Sequence, residues 1–201
     1  MRQPYYPERM LERRTQAERR SDSQARLVAA AIRLLGTRGY AGASLAEIGR
    51  EAGLSRGLVN HHFGSKEACM RAVVTAIRER ARAHLSSDLR GVAALDDLFD
   101  VYFGGLVDRE DPSARALYVL LVEGITATPG LRDAIAETNM VVRRLIVEMI
   151  GDEAADPDAS AVVVEGILRG VALQWLADPD NVELAAATDA AKAAVRGLLA
   201  A

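Results

Sequence analysis

SLAEIGREAGLSRGLVNHHFGSKE, residues 44–67, decides the fold. Ser44 followed by Glu47 has capping-box spacing: the serine hydroxyl accepts from an early backbone N–H while the glutamate reaches back, opening a helix through Ile48 to Ala52. Gly53 closes that helix, and Ser55 caps a second one running from Arg56 to about His62. Gly64-Ser65 then ends the second helix and caps the next. Only Gly53 and Leu54 separate the first two helices, and two short helices joined by a glycine turn make a helix-turn-helix.

Helical spacing continues on both sides of this stretch. Upstream, Leu27, Ala31, Leu34 and Leu35 predict a helix from Ser23 to Arg38, with Gly39 at its C-cap. Downstream, a helix from Ser65 to about Ser86 is followed by five or so more, with breaks near 86–90, 108–112, 128–129, 151–157 and 177–181. No alternating run bounded by hairpin turns argues for a sheet. The expected fold is all-α: a basic N-terminal arm (1–20), a three-helix helix-turn-helix domain with its connecting helix (21–82), and a larger C-terminal helical domain (83–201).

Charge divides along the same line. Residues 1–82 hold 16 Lys and Arg against eight Asp and Glu, a net of +8, while 83–201 hold nine against 20, a net of −11. A basic module beside an acidic one points to a polyanionic partner, nucleic acid, for the first and a different task for the second. The single cysteine, Cys69, excludes an internal disulfide, and the arginine-rich N-terminus lacks the apolar stretch of a secretory signal. Apolar runs such as ALYVLLV and AVVVEGIL fall short of the roughly 20 residues that span a bilayer. A soluble, cytoplasmic protein with no membrane partner is the expectation.

A recognition helix must lay its N-terminal residues against base edges while its other side locks onto the preceding helix. Val59 and Phe63, at i and i+4, supply the locking side. Arg56, Gly57, Asn60 and His61 then face DNA: arginine forks onto guanine, asparagine pairs with adenine, and glycine allows close backbone approach. Leu58 is expected either at a thymine methyl or on the core. Lys66, in the first turn of the next helix, is placed to meet a phosphate. Arginines of the N-terminal arm can follow the backbone or enter a narrow minor groove. Glu8, Glu12 and Glu18 interrupt that charge, which favours a solvated tail.

The segment from about Arg20 to Val74 resembles the DNA-binding domain of the TetR family of bacterial transcriptional regulators. RGYAGASLAEIGREAGLSRGLVNHHFGSKE carries the resemblance, with its aromatic after the first helix, the Ser44 cap, the Ala52–Ser55 turn, His62-Phe63 and Lys66-Glu67. The sequence departs at Asn60, where the family commonly has tyrosine, at Leu58, where a small residue is common, and at Gly49, where alanine is usual. The expected DNA-contacting set is Ser44, Ser55, Arg56, Gly57, Leu58, Asn60, His61, His62 and Lys66. For His62, packing between helices is an equal alternative to phosphate contact.

The resemblance implies a double-stranded DNA operator, a small-molecule effector bound among the C-terminal helices, and a homodimer. Tyr102, Phe103, Tyr118, Met140 and Arg144 are the effector candidates, with core packing, or a surface salt bridge for Arg144, as the competing reading. Gly166, Gly170, Val171, Trp175, Val195 and Leu198 are the dimer candidates, with packing inside one chain as the alternative. The resulting expectation is a repressor released from a palindromic operator by its ligand, not an enzyme and without cofactor.

Two rivals belong to other classes. A ligand-independent DNA-binding or architectural protein would keep operator binding whatever the small molecule. A helical enzyme or metal protein would use His61, His62 and Cys69. Adjacent histidines point about 100° apart on a helix, whereas helical metal pairs sit at i, i+4, so neither catalytic nor metal residues are expected.

Overall fold

The computed structural model describes residues 15–108 and 111–200, and these form helices joined by short links, with no strand among them. In chain order the helices are α1 (Gln16–Gly42), α2 (Leu45–Glu51), α3 (Arg56–Phe63), α4 (Lys66–Arg82), α5 (Gly91–Val107), α6 (Ser113–Thr126), α7 (Pro129–Ile150), α8 (Pro157–Ala177) and α9 (Leu184–Leu199).

Helix α1 begins seven residues before the expected Ser23. Its start is a capping box: Thr15 Oγ1 accepts from Glu18 N at 3.2 Å, and Glu18 Oε2 accepts from Thr15 N at 2.7 Å. The end of the expected arm is therefore helical, and the rest of it, residues 1–14, lies outside the described residues. At the other end Gly39, at φ 68°, breaks the regular helix before the corner into α2.

Ser44, Ser55 and Ser65 each accept a backbone N–H three residues on, at 3.2, 3.2 and 3.1 Å. Such caps stabilise a helix start by about 1 kcal/mol each. The Ser44 box is only half made, because the Glu47 carboxylate turns to Arg50 and, at 3.5 Å, to Arg38 instead of reaching back. Two short helices gain little from propensity alone, so α2 and α3 depend on packing. Val59 is fully buried with Ile48, and Phe63 packs against the same core. A Cβ on Gly49 would stand 2.9 Å from Val59 Cγ2 and 3.1 Å from the Leu54 carbonyl oxygen, so this departure from alanine lets α2 and α3 approach closely.

There are two cores. The first joins α1–α4 to α6 and the first half of α7, through residues such as Leu27, Leu35, Met70, Val73, Leu120 and Leu131. The second lies among α5, the end of α7, α8 and α9, around Phe99, Phe103, Ile146, Val164 and Leu168. The packing of α1–α4 thus continues past residue 82, with α6 lying along α1. Tyr118 of α6 packs against both cores.

Helix α8 joins the short apolar runs of its sequence into 21 residues with an 18-residue window of mean hydropathy 1.3, long and apolar enough by those measures alone to cross a membrane. Its charged residues interrupt the runs without lowering the average enough. A core helix of a helical bundle has the same composition.

Candidate DNA interface and polar centre of the C-terminal helices

The caps and the Gly53 turn, with φ 65°, fix the phase of α3. Arg26 adds a brace from α1, its Nη2 donating to the Ala52 carbonyl at 2.6 Å. With Val59 locked inside, Ser55, Arg56, Gly57, Asn60 and His61 are exposed along one side of α3, and Leu58 is half-buried. Leu58, two residues from Arg56, points to a different side of the helix from Arg56. Ser44 and Ser55 spend their hydroxyls on the caps, where they orient the backbone N–H groups of the helix starts.

The two histidines differ. His61 is exposed, whereas His62 is half-buried beside Phe63, at the end of a groove of about 760 Å³ between α1 and α4. Nδ1 of His62 is buried without a hydrogen-bond partner among the described residues. Burial first, then the Arg20 and His61 charges, hold its pKa below the usual 6.5. Cys69 lies in the core, its thiol pushed up to about 12 by burial, so it is a packed neutral thiol.

Lys66 is turned inward. Its Nζ donates to the Tyr40 carbonyl at 2.6 Å and sits 3.7 Å from the centre of the Tyr40 ring, tying the start of α4 to the corner between α1 and α2. Burial lowers its pKa. In this arrangement its ammonium already has an acceptor, and any phosphate near the start of α4 is offered backbone N–H groups.

Inside the C-terminal helices the structure brings together Tyr102, Tyr118 and Phe103, whose ring stands 5.5 Å from that of Tyr102, but not Met140 or Arg144. Phe103 is in the core, 2% exposed. Met140, 51% exposed, and Arg144 lie on the outer side of α7. Helix phase is the reason: Asn139 and Arg143, one residue earlier and about 100° round, face α8 instead. Sequence reasoning missed these two together with Glu165 and Arg169 of α8, although an acid and a base at i, i+4 in an otherwise apolar helix were the available signal.

Hydrogen positions in this centre are forced by valence. Tyr118 donates its single hydroxyl hydrogen to the Arg169 carbonyl at 3.1 Å, so in the 2.9 Å contact between the two tyrosines Tyr102 is the donor. Arg169 Nη2 donates to Asn139 Oδ1 at 2.7 Å. The same nitrogen lies 2.7 Å from Glu165 Oε1 without hydrogen-bond alignment, and Arg143 stands 4.0 Å from Oε2. Burial raises the Glu165 pKa, opposed by Arg169 and then Arg143. A buried carboxylate with one poorly aligned partner is an acceptor awaiting a donor.

The dimer candidates divide as well. Val195 is buried within its own chain, and Val171 and Trp175 pack on the second core. Gly166 is exposed and Gly170 half-buried, with nothing near enough to meet an added Cβ, while Leu198 is half-buried on α9. Beside these glycines Val162, Val163 and Leu173 are about half exposed, leaving one side of α8 apolar and uncovered.

Residues 27–73, which build α1–α4 up to Val73, match the family model described as bacterial regulatory proteins, tetR family. Over these residues the chain is similar to the tetR-family DNA-binding domain. Beyond that domain, the chain is 29% identical over 185 residues to the HTH-type transcriptional regulator CymR of Pseudomonas putida, covering 85% of this chain and 89% of CymR. Among solved structures, a transcriptional regulator from Rhodococcus sp. Rha1 superposes with a TM-score of 0.76 at 24% identity, covering 88% of this chain and 96% of the other. The multidrug binding protein EbrR, solved with imidazole, superposes at 0.67 and 22% identity, covering 88% and 89%. A helix-turn-helix followed by a helical C-terminal domain is thus the fold that the described residues share with these structures. Its relatives are transcriptional regulators.

Proposed function

We propose that this tetR-family regulator is a cytoplasmic homodimeric repressor that occupies a two-fold symmetric operator and leaves it when a small molecule binds among α5–α8. The observation that carries the reading is the exposed row Arg56, Gly57, Asn60 and His61 on a helix whose opposite side is locked by Val59. Arginine and asparagine there are suited to guanine and adenine edges, and a single α3 reads too few bases for useful specificity, so a symmetric partner is required. The uncovered apolar side of α8 supports that partner. The buried centre of Tyr102, Tyr118, Asn139, Glu165 and Arg169 supports an effector, and the binding of imidazole by EbrR gives a precedent in the same fold.

Release is then linkage: an effector that prefers a conformation poor at binding DNA lowers operator affinity by that preference, and DNA weakens the effector by the same factor. Selection of bound fragments from genomic DNA tests the reading. Recovery of a few fragments sharing an inverted repeat is the expected outcome. Equal retention of all fragments would replace the operator model with a non-specific architectural role.

A further inference from the structure

A cavity of about 440 Å³ opens where the C-terminal end of α1 meets the bundle, well within the size of small-molecule sites. Leu34 and Gly36 of α1 form one wall. Leu106 at the end of α5, Ala114 at the start of α6, and Trp175 and Leu176 at the end of α8 form the other. Leu106 and Ala114 each lie one helical turn from Tyr102 and Tyr118 on the same helices, so the cavity stands above the polar centre and is distinct from it. Its lining is mostly apolar with an aromatic side, and its rim is charged.

The rim charges are unequally satisfied. Arg33 pairs with Glu51 at 3.1 Å, Arg38 reaches Glu47 at 3.5 Å, and Asp111 is held by Arg80 at 3.0 Å and by Ser113 Oγ at 2.6 Å. Arg115 alone among the lining cations has no hydrogen-bond or ion-pair partner among the described residues. Glu51, Asp108 and Asp111 also line this rim, each with a partner of its own, so Arg115 is the cation left to take an anionic head beside the apolar wall.

We propose that this cavity binds a small amphiphilic anion, its apolar part against Trp175, Leu106 and Leu34 and its charge on Arg115. Because the walls come from α1 on one side and from α5, α6 and α8 on the other, the occupant is held by the DNA-facing helices and the bundle at once. The site is argued from the cavity alone and does not depend on the operator reading.

Trp175 is the chain's single tryptophan, so its indole N–H gives one resonance that reports the cavity directly. The full-length, ¹⁵N-labelled protein is titrated with three probes sharing one ring system: 2-naphthalenesulfonate, 2-naphthalenemethanol and 2-naphthylmethylammonium. The indole resonance should move with the sulfonate, which should bind about fivefold more tightly than the alcohol, the gain of one exposed ion pair, with the ammonium weakest. Arg115→Gln should abolish the gap between sulfonate and alcohol, and Arg115→Glu should reverse the order. An unmoved indole resonance with all three probes, or an unchanged order in Arg115→Glu, would overturn the proposal. Either result leaves operator binding intact, because that is measured on DNA without any probe.

Discussion

In the proposed reading sequence-specific readout turns on Arg56, which is exposed in the first turn of α3 and carries a fork suited to guanine O6 and N7. Arg56→Ala should cost about 1–3 kcal/mol on the operator and much less on random DNA, with sedimentation of the free protein unchanged. Equal losses on both DNAs would make Arg56 a phosphate contact. His62 bears on stability as well. Its folded pKa is below the unfolded value, so the folded chain binds fewer protons; the contribution of neutral His62 is complete above about pH 6.5 and is lost as pH falls through the lowered value. Urea unfolding at about pH 7.5 and about pH 5 should show wild type losing more stability on acidification than His62→Gln. Parallel losses would remove His62 from the pH dependence. At this scale the outward row of α3 was legible because two caps and a glycine turn set its phase. The inward turn of Lys66 was not, since it depends on Tyr40, 26 residues away, which no local pattern reports.

Helix α6 connects the DNA-facing helices to the bundle. Its start meets α1 so closely that a Cβ on Gly36 would stand 2.6 Å from Pro112 Cβ and 3.0 Å from the Pro112 carbonyl oxygen. Gly36→Ala should therefore destabilise by about 1–3 kcal/mol through overpacking, less about 1 kcal/mol regained in helix propensity, because a proline ring and a backbone oxygen cannot swing aside. Thermal unfolding checks it, and a raised melting temperature would show that α1 and α6 are free to part. Tyr118, one turn and a half further along α6, holds α8 through the Arg169 carbonyl. Tyr118→Phe removes that bond and the acceptor of the Tyr102 hydroxyl, and should cost about 1–3 kcal/mol. It should also change the ratio of operator affinities with and without effector, if α6 carries the signal. An unchanged ratio would assign transmission to another helix. Helix limits are readable from Ser, Gly and Pro punctuation, except the start of α1, where the Thr15 and Glu18 capping box lies inside a charged stretch that has the composition of a tail. The polar centre was not readable: a shift of one residue on α7 exchanges Asn139 and Arg143 for Met140 and Arg144, and only tertiary packing sets that phase.

At the scale of the molecule, one chain leaves the apolar side of α8 uncovered, and a two-fold partner seated there would supply the second α3 that the proposed symmetric operator requires. Gly170 gives a clean probe, since nothing in its own chain meets an added Cβ. Gly170→Leu should leave the folded protomer intact and weaken association by about 1–3 kcal/mol. The charge division along the chain and the helix-turn-helix were legible from the start. Which apolar residues serve the partner and which serve the protomer was not, because Val195 and Val163 look alike in sequence while one is 3% and the other 45% exposed. The central claim, a symmetric pair reading one operator, is tested most directly by hydroxyl-radical footprinting on a selected genomic fragment. Two protected half-sites about one helical turn apart, related by a dyad and lost together in Gly170→Leu, are predicted. A single unsymmetric footprint, unchanged in that variant, would contradict the account.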